Sequence, residues 1–144
     1  MGRSVQRERP GLGAETAVSR PVLLDTSFLV ALERETAKDE IGPARRFLPS
    51  LRGRQLVISI VSVAELLEGA VDEAAVLRSF QRFAVQGLHF AQARRCALLQ
   101  RRAARRMGEN DAWLVATAES LDADVVGADR AAFERLGDRC LHFR

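Results

Sequence analysis

Short apolar runs alternate with longer stretches of helical periodicity along most of this chain. Val22, Leu23 and Leu24 form a continuous apolar run of the kind buried on both faces of a parallel sheet, and it stops at Asp25. Thr26 and Ser27 are good helix-starting residues, and the pattern after them predicts a helix to about residue 36, with Phe28, Leu29 and Leu32 on its apolar face. Residues 38–42 read as a polar linker and 43–52 as a short helix disturbed by Pro49. A second β-rich run covers 55–60, and a helix starts at Ser62, where Ser62 and Glu65 fit a capping box and Gly69 could end or kink the helix. Residues 72–85 carry Ala75, Val76, Phe80 and Phe83 at helical spacing, and 87–90 read as a short third strand. Helix is expected over 91–107, closed by Gly108, and again over 112–121 after Asn110 and Asp111. A fourth strand over 123–127 runs towards Asp129, a helical turn or two follows over 130–136, and 140–143 read as a fifth, edge strand.

Strands alternating with helices imply a parallel sheet with right-handed crossovers. Residues 1–20, rich in Gly, Arg, Glu and Ser, have no hydrophobic period and read as an extension outside a single domain of 21–144. Within that domain four acids fall at element boundaries. Asp25 and Asp129 lie at or just beyond strand ends, and Glu65 and Asp111 lie at helix starts. Strand-to-helix junctions share one edge of such a sheet, so Asp25, Glu65 and Asp129 can meet there. Asp111 joins them only if its helix begins near that edge.

Taken singly, each acid could simply cap a helix. Taken together, four converging carboxylates repel one another unless protonated or bound to cations. Hard divalent ions such as Mg²⁺ or Mn²⁺ take such oxygen ligands, bridge them to phosphate and support phosphodiester hydrolysis.

Composition narrows the alternatives. A chain of 144 residues, 47% hydrophobic and 28% charged, suits one soluble domain. No apolar run approaches the ~20 residues of a membrane span, and residues 1–20 lack the apolar core of a signal peptide. Cys96 and Cys140 have no metal-binding spacing and read as reduced residues of a cytoplasmic protein. The net charge is +3, and Lys38 is the only lysine among 22 basic residues. Arginine suits phosphate recognition, but arginine bias also follows from genome composition. On the expected helix over 91–107, Arg94, Arg95, Arg101, Arg102, Arg105 and Arg106 share one broad face, opposite Ala93, Cys96, Ala103, Ala104 and Met107. That stripe is either a solvated surface or a rail for a nucleic-acid backbone, for which Arg94, Arg101, Arg102 and Arg105 are the candidate contacts.

Other chemistries find little support. His89 and His142 stand in strand-like runs without a nucleophile constellation, and neither phosphate-cradling glycine motif is present. A phosphoacceptor receiver domain needs a lysine near its acidic site, and Lys38 lies in the wrong place, just after the first helix. A haloacid-dehalogenase-like phosphatase wants a second acid two residues after its nucleophile, where this chain has Ser27.

Leu23-Leu24-Asp25-Thr26-Ser27, then Ala64-Glu65-Leu66, then Asn110-Asp111-Ala112 with Ala116-Thr117-Ala118, then Gly127-Ala128-Asp129 with Phe133, resemble in order and spacing the motifs of PIN-domain proteins, most closely the VapC-type toxins of type II toxin–antitoxin systems. The resemblance spans about residues 22–143. It implies an α/β/α sandwich on a parallel sheet of four to five strands in the order 3-2-1-4-5, with a crevice where that order reverses. It implies an acidic quartet of Asp25, Glu65, Asp111 and Asp129 that binds Mg²⁺ or Mn²⁺ and hydrolyses RNA. It further implies a homodimer and a cognate antitoxin protein. Many relatives carry Thr or Ser two residues before the fourth acid, where this chain has Gly127. A non-catalytic module binding metal and RNA, or only a partner protein, remains the alternative on the same fold.

Overall fold

The computed structural model describes residues 20–128 and 133–144. Five parallel strands, β1 (Val22–Leu24), β2 (Leu56–Ser59), β3 (Ala84–Gln86), β4 (Asp124–Gly127) and β5 (Cys140–His142), lie in the order β3-β2-β1-β4-β5. β1 is central, with Leu23 opposite Val57 on β2 and Val125 on β4. The chain builds outward from β1 through β2 to β3 and then from β4 to β5 on the other side, so the order reverses between β1 and β4, which places a crevice at the carboxyl end of β1.

The alternation of side chains along β1 splits the core in two. Val22 and Leu24 join a cluster with Phe28, Leu29 and Leu32 of helix α1 (Thr26–Ala37), Leu66 of α3 (Ile60–Glu68) and Val76 of α4 (Glu73–Ser79). Leu23 joins Val57 and Val125 in a second cluster with Cys96 and Leu99 of α5 (Phe90–Arg102) and Val115 of α6 (Glu109–Leu121). Helices therefore cover both faces, the three-layer α/β/α sandwich expected. Among the described residues no helix is long and apolar enough to cross a membrane.

A short α2 (Pro43–Phe47) follows α1 and passes into a 3-10 turn at Leu48–Leu51 that contains Pro49. Its amino end has no side-chain cap of its own. Glu35, buried on α1, supplies one from a distance, accepting from the N–H groups of Ala44 (3.0 Å) and Arg45 (2.9 Å). Burial alone pushes the Glu35 carboxyl up; the backbone N–H groups of Arg45, Ala44 and Gly42 and the charge of Arg46 outweigh it and hold the pKa below its ordinary 4.5. A β-carbon at Gly42 would lie 2.5 Å from Glu35 Cδ, so only glycine admits the carboxylate. At the amino end of the sheet, Asp124 opens β4 and binds Arg54 Nη2 at 2.5 Å and Arg20 Nη1 at 3.5 Å.

Five expectations are corrected. The third strand is Ala84–Gln86, and the region expected as one helix over 72–85 breaks into α4, a 3-10 turn at Phe80–Arg82 and that strand. Phe80 and Phe83 are both buried, so their helical spacing records contact with the core through an irregular segment. The helix expected to run to residue 107 ends at Arg102, with Ala103 extended. Its buried stripe is Gln92, Cys96 and Leu99, whereas Ala93 and Ala104 are exposed. Finally, α3 starts at Ile60 under a Ser59 cap, so Ser62 lies inside the helix and the Ser62–Glu65 capping box does not form.

Candidate active site

Three of the four acids line one cavity of about 320 Å³ at the carboxyl ends of β1 and β2: Asp25, Glu65 and Asp111, with Thr26, Ser27, Ser62 and Asn110. Each comes from a different segment. Asp25 ends β1 and caps α1, its Oδ2 accepting from Ser27 N at 3.2 Å. Its backbone N–H donates to Val126 O at 2.9 Å, which locks the β1 terminus to β4. Glu65 stands on α3, beyond the turn fixed by Ser59. Asp111 lies in the first turn of α6, whose cap is Gly108. That helix begins at the sheet's carboxyl edge, the condition on which Asp111 could join the others, and its amino end favours negative charge there.

Hydroxyl groups hold two of the carboxylates. Thr26 Oγ1 lies 3.1 Å from Glu65 Oε1 and 2.9 Å from Ser62 Oγ. An ionised carboxylate only accepts, so Thr26 donates its hydrogen to Glu65 and accepts a hydrogen bond from the Ser62 hydroxyl. Ser27 Oγ donates to Asp25 Oδ2 at 2.6 Å and accepts from Ala128 N at 3.1 Å. In the sequence Thr26 and Ser27 read as helix starters and as part of the Asp25 motif, with no role in the site assigned to either. Asn110, the neighbour of Asp111, lines the cavity too.

Among the described residues, neither Asp25 nor Glu65 has an arginine or lysine within ion-pair distance. The donor set is thus carboxylate oxygen without an opposing protein cation on those two acids, which fits a hard divalent ion. No three acidic, histidine or cysteine side chains among the described residues are grouped closely enough to hold an ion as they stand. Asp129, the fourth expected acid, lies outside the described residues.

The arginine stripe is discontinuous. Arg94, Arg95 and Arg101 border a groove on α5 with Leu98, and Arg102 ends the helix. Arg105 and Arg106 belong to the loop beyond it, where Gln100 clasps Met107 through two hydrogen bonds of 2.9 and 3.0 Å. Arg95 is engaged with Glu119 at 3.2 Å. None of these arginines lines the carboxylate cavity. Cys96 is a core residue: burial and then the charge of Glu109 raise its thiol pKa against the pull of Arg106.

Residues 22–139 match the model of the PIN domain, and the chain belongs to that family. Its fold is similar to that of a toxin–antitoxin complex chain from Klebsiella pneumoniae (TM-score 0.72, 19% identity, covering 85% of this chain and 98% of that one). It is also similar to a chain of VapBC-1 from nontypeable Haemophilus influenzae (TM-score 0.64, 23% identity, 85% and 97% covered). A third likeness is to a chain of FitAcB from Neisseria gonorrhoeae (TM-score 0.66, 19% identity, 85% and 96% covered). No protein in the curated set matches.

Proposed function

We propose that this protein is a metal-dependent endoribonuclease and the toxin of a toxin–antitoxin pair. The observation that carries the reading is the meeting of Asp25, Glu65 and Asp111, from three separate segments, around one cavity at the topological switch point. PIN domains are generally nucleases and commonly use a divalent metal, and the structural neighbours are chains of toxin–antitoxin complexes.

Asp25 and Asp111 would be the principal ligands of Mg²⁺ or Mn²⁺. Glu65 is a further ligand or orients the attacking water, and Asp129 is a ligand or a supporting acid. The ion, when bound, activates water and stabilises charge on the displaced oxygen. Thr26 holds Glu65 in one orientation towards the cavity, so a water beside it meets a fixed acceptor. Arg94, Arg101, Arg102 and Arg105 contribute sequence-independent contact with the RNA backbone. The chain works as a homodimer in the cytoplasm, held inactive by its antitoxin.

Cleavage of RNA is measured with Mg²⁺ or Mn²⁺, with and without EDTA, for wild type and Asp25→Asn. Metal-dependent cleavage lost in the folded variant is expected, and cleavage unchanged in that variant would sink the assignment. A second reading, a non-catalytic binding module, draws on the spacing of the acids, no three of which are grouped at ligand distance among the described residues. RNA that is bound in Mg²⁺ yet intact after long incubation decides for it.

A further inference from the structure

Gly127 ends β4 directly beside Asp25. A β-carbon built on it would lie 2.9 Å from Phe133 Cε2, 3.2 Å from Asp25 Cβ and 3.3 Å from Asp25 Oδ2. Neither neighbour can easily give way. Phe133 is 1% exposed and packed in the second core cluster. The Asp25 backbone is tied to Val126 O, and Leu24 pairs in register with Val126. Only the Asp25 side chain is left to move, and moving it breaks its 2.6 Å bond to Ser27 Oγ.

That bond is one half of a two-sided attachment. Ser27 Oγ uses its single proton on Asp25 Oδ2 and a lone pair on Ala128 N, bridging the end of β1 to the chain just after Gly127. Ser27 N also donates to Asp25 Oδ2, at 3.2 Å, so both hydrogen bonds from Ser27 to the carboxylate fall on Oδ2, and Oδ1 carries no hydrogen bond among the described residues. We propose that Gly127 and Ser27 together set the Asp25 carboxylate for divalent-metal binding: the bare backbone at 127 leaves room for it, and the Ser27 hydroxyl pins Oδ2 so that Oδ1 faces the cation. Ser27 is a positioning residue and Gly127 a steric requirement. A hydroxyl or methyl group introduced at 127 harms the site rather than completing it. The proposal rests on the metal-site reading above.

The test is titration of the whole chain with Mn²⁺ alone, by calorimetry or by the electron-spin signal of free Mn²⁺, with thermal unfolding followed in parallel. Ser27→Ala is expected to weaken Mn²⁺ binding by about tenfold, the usual loss when a ligand's supporting partner is removed, while Ser27→Thr keeps wild-type affinity. Gly127→Ala also strains the core through Phe133, so it is paired with Phe133→Leu, which removes the ring atom at 2.9 Å and leaves both Asp25 contacts. The double variant is expected to fold and still bind Mn²⁺ about tenfold more weakly than Phe133→Leu alone. Wild-type affinity in Ser27→Ala, or in the double variant, overturns the proposal. So does a wild-type protein that binds no Mn²⁺, which overturns the metal reading with it. The expected ranking of affinities in a protein that leaves RNA intact supports the proposal and overturns the ribonuclease reading alone.

Discussion

Thr26 Oγ1 meets Glu65 Oε1 at 3.1 Å across the gap between α1 and α3, and the same oxygen meets the buried Ser62 hydroxyl at 2.9 Å. A residue placed by the first strand thus orients an acid placed by the second. Thr26→Val keeps the shape and removes the hydroxyl, leaving Ser62 without this partner at 1% exposure. The expected cost is about 1–3 kcal/mol of stability, the penalty of a buried polar group left unsatisfied. RNA cleavage is expected to show kcat lowered about tenfold with KM little changed, since Glu65 loses orientation rather than charge. Thr26→Ser should recover both, and denaturant unfolding with steady-state kinetics measures them.

Asp25→Asn is expected to separate the proposed metal binding from folding. Asparagine caps a helix about as well as aspartate, so α1 keeps its amino-terminal bond. Removing one of several neighbouring negative charges also relieves repulsion. In EDTA the variant's denaturation midpoint is therefore expected to equal or exceed that of wild type. Added Mn²⁺ should raise the wild-type melting temperature and leave the variant's unchanged. A variant that is less stable in EDTA would mean that the carboxylate serves the fold.

Glu35 predicts an acid-sensitive element far from any chemistry. Its folded pKa is held below 4.5, so ionised Glu35 contributes stability above that value, and the contribution is lost as pH falls through the lower folded pKa. Glu35→Gln should be less stable than wild type at neutral pH. The gap should close as pH drops below 4.5, because only wild type then has this stabilisation to lose. Urea unfolding at a series of pH values distinguishes this from a pH-independent packing loss.

Local pattern carried the strands at 22–24, 56–59 and 124–127, because each is an apolar run buried by the sheet. The edge strand β3 left no such trace: Ala84 and Val85 are exposed, and three residues are too few for a period. The helix end at Arg102 was hidden because the residues after it keep a helical pattern, while the Gln100 clasp on Met107 turns the chain. Glu65 fitted a capping box by spacing alone, and Ser59 is the actual cap. The acids themselves were legible as residues at element boundaries. Their convergence was not, because Asp111 comes to the cavity it shares with Asp25 only through the packing of α6 on the sheet, and its expectation rested on family likeness. The bonds from Thr26 and Ser27 are tertiary facts of the same kind.

The ion pair of Arg54 and Asp124 spans 70 positions and seals the amino edge of the sheet, opposite the carboxylate cavity. Arg54 also donates through Nε and Nη2 to Arg20 O, so the guanidinium ties the chain before β1, the chain before β2 and the start of β4. Asp124→Ala would strand a guanidinium whose side chain is only 13% exposed. A loss of about 3 kcal/mol is expected, the lower end for breaking a buried pair, since both partners retain some access to solvent. The cavity lies at the other end of the strands, so cleavage per folded molecule and Mn²⁺ affinity should stay at wild-type values. Active-site titration at a temperature below the variant's melting point checks this. A variant that keeps its stability would show Arg54 to be held by the Arg20 carbonyl alone. One that loses metal affinity while folded would show the two edges of the sheet to be coupled through β4.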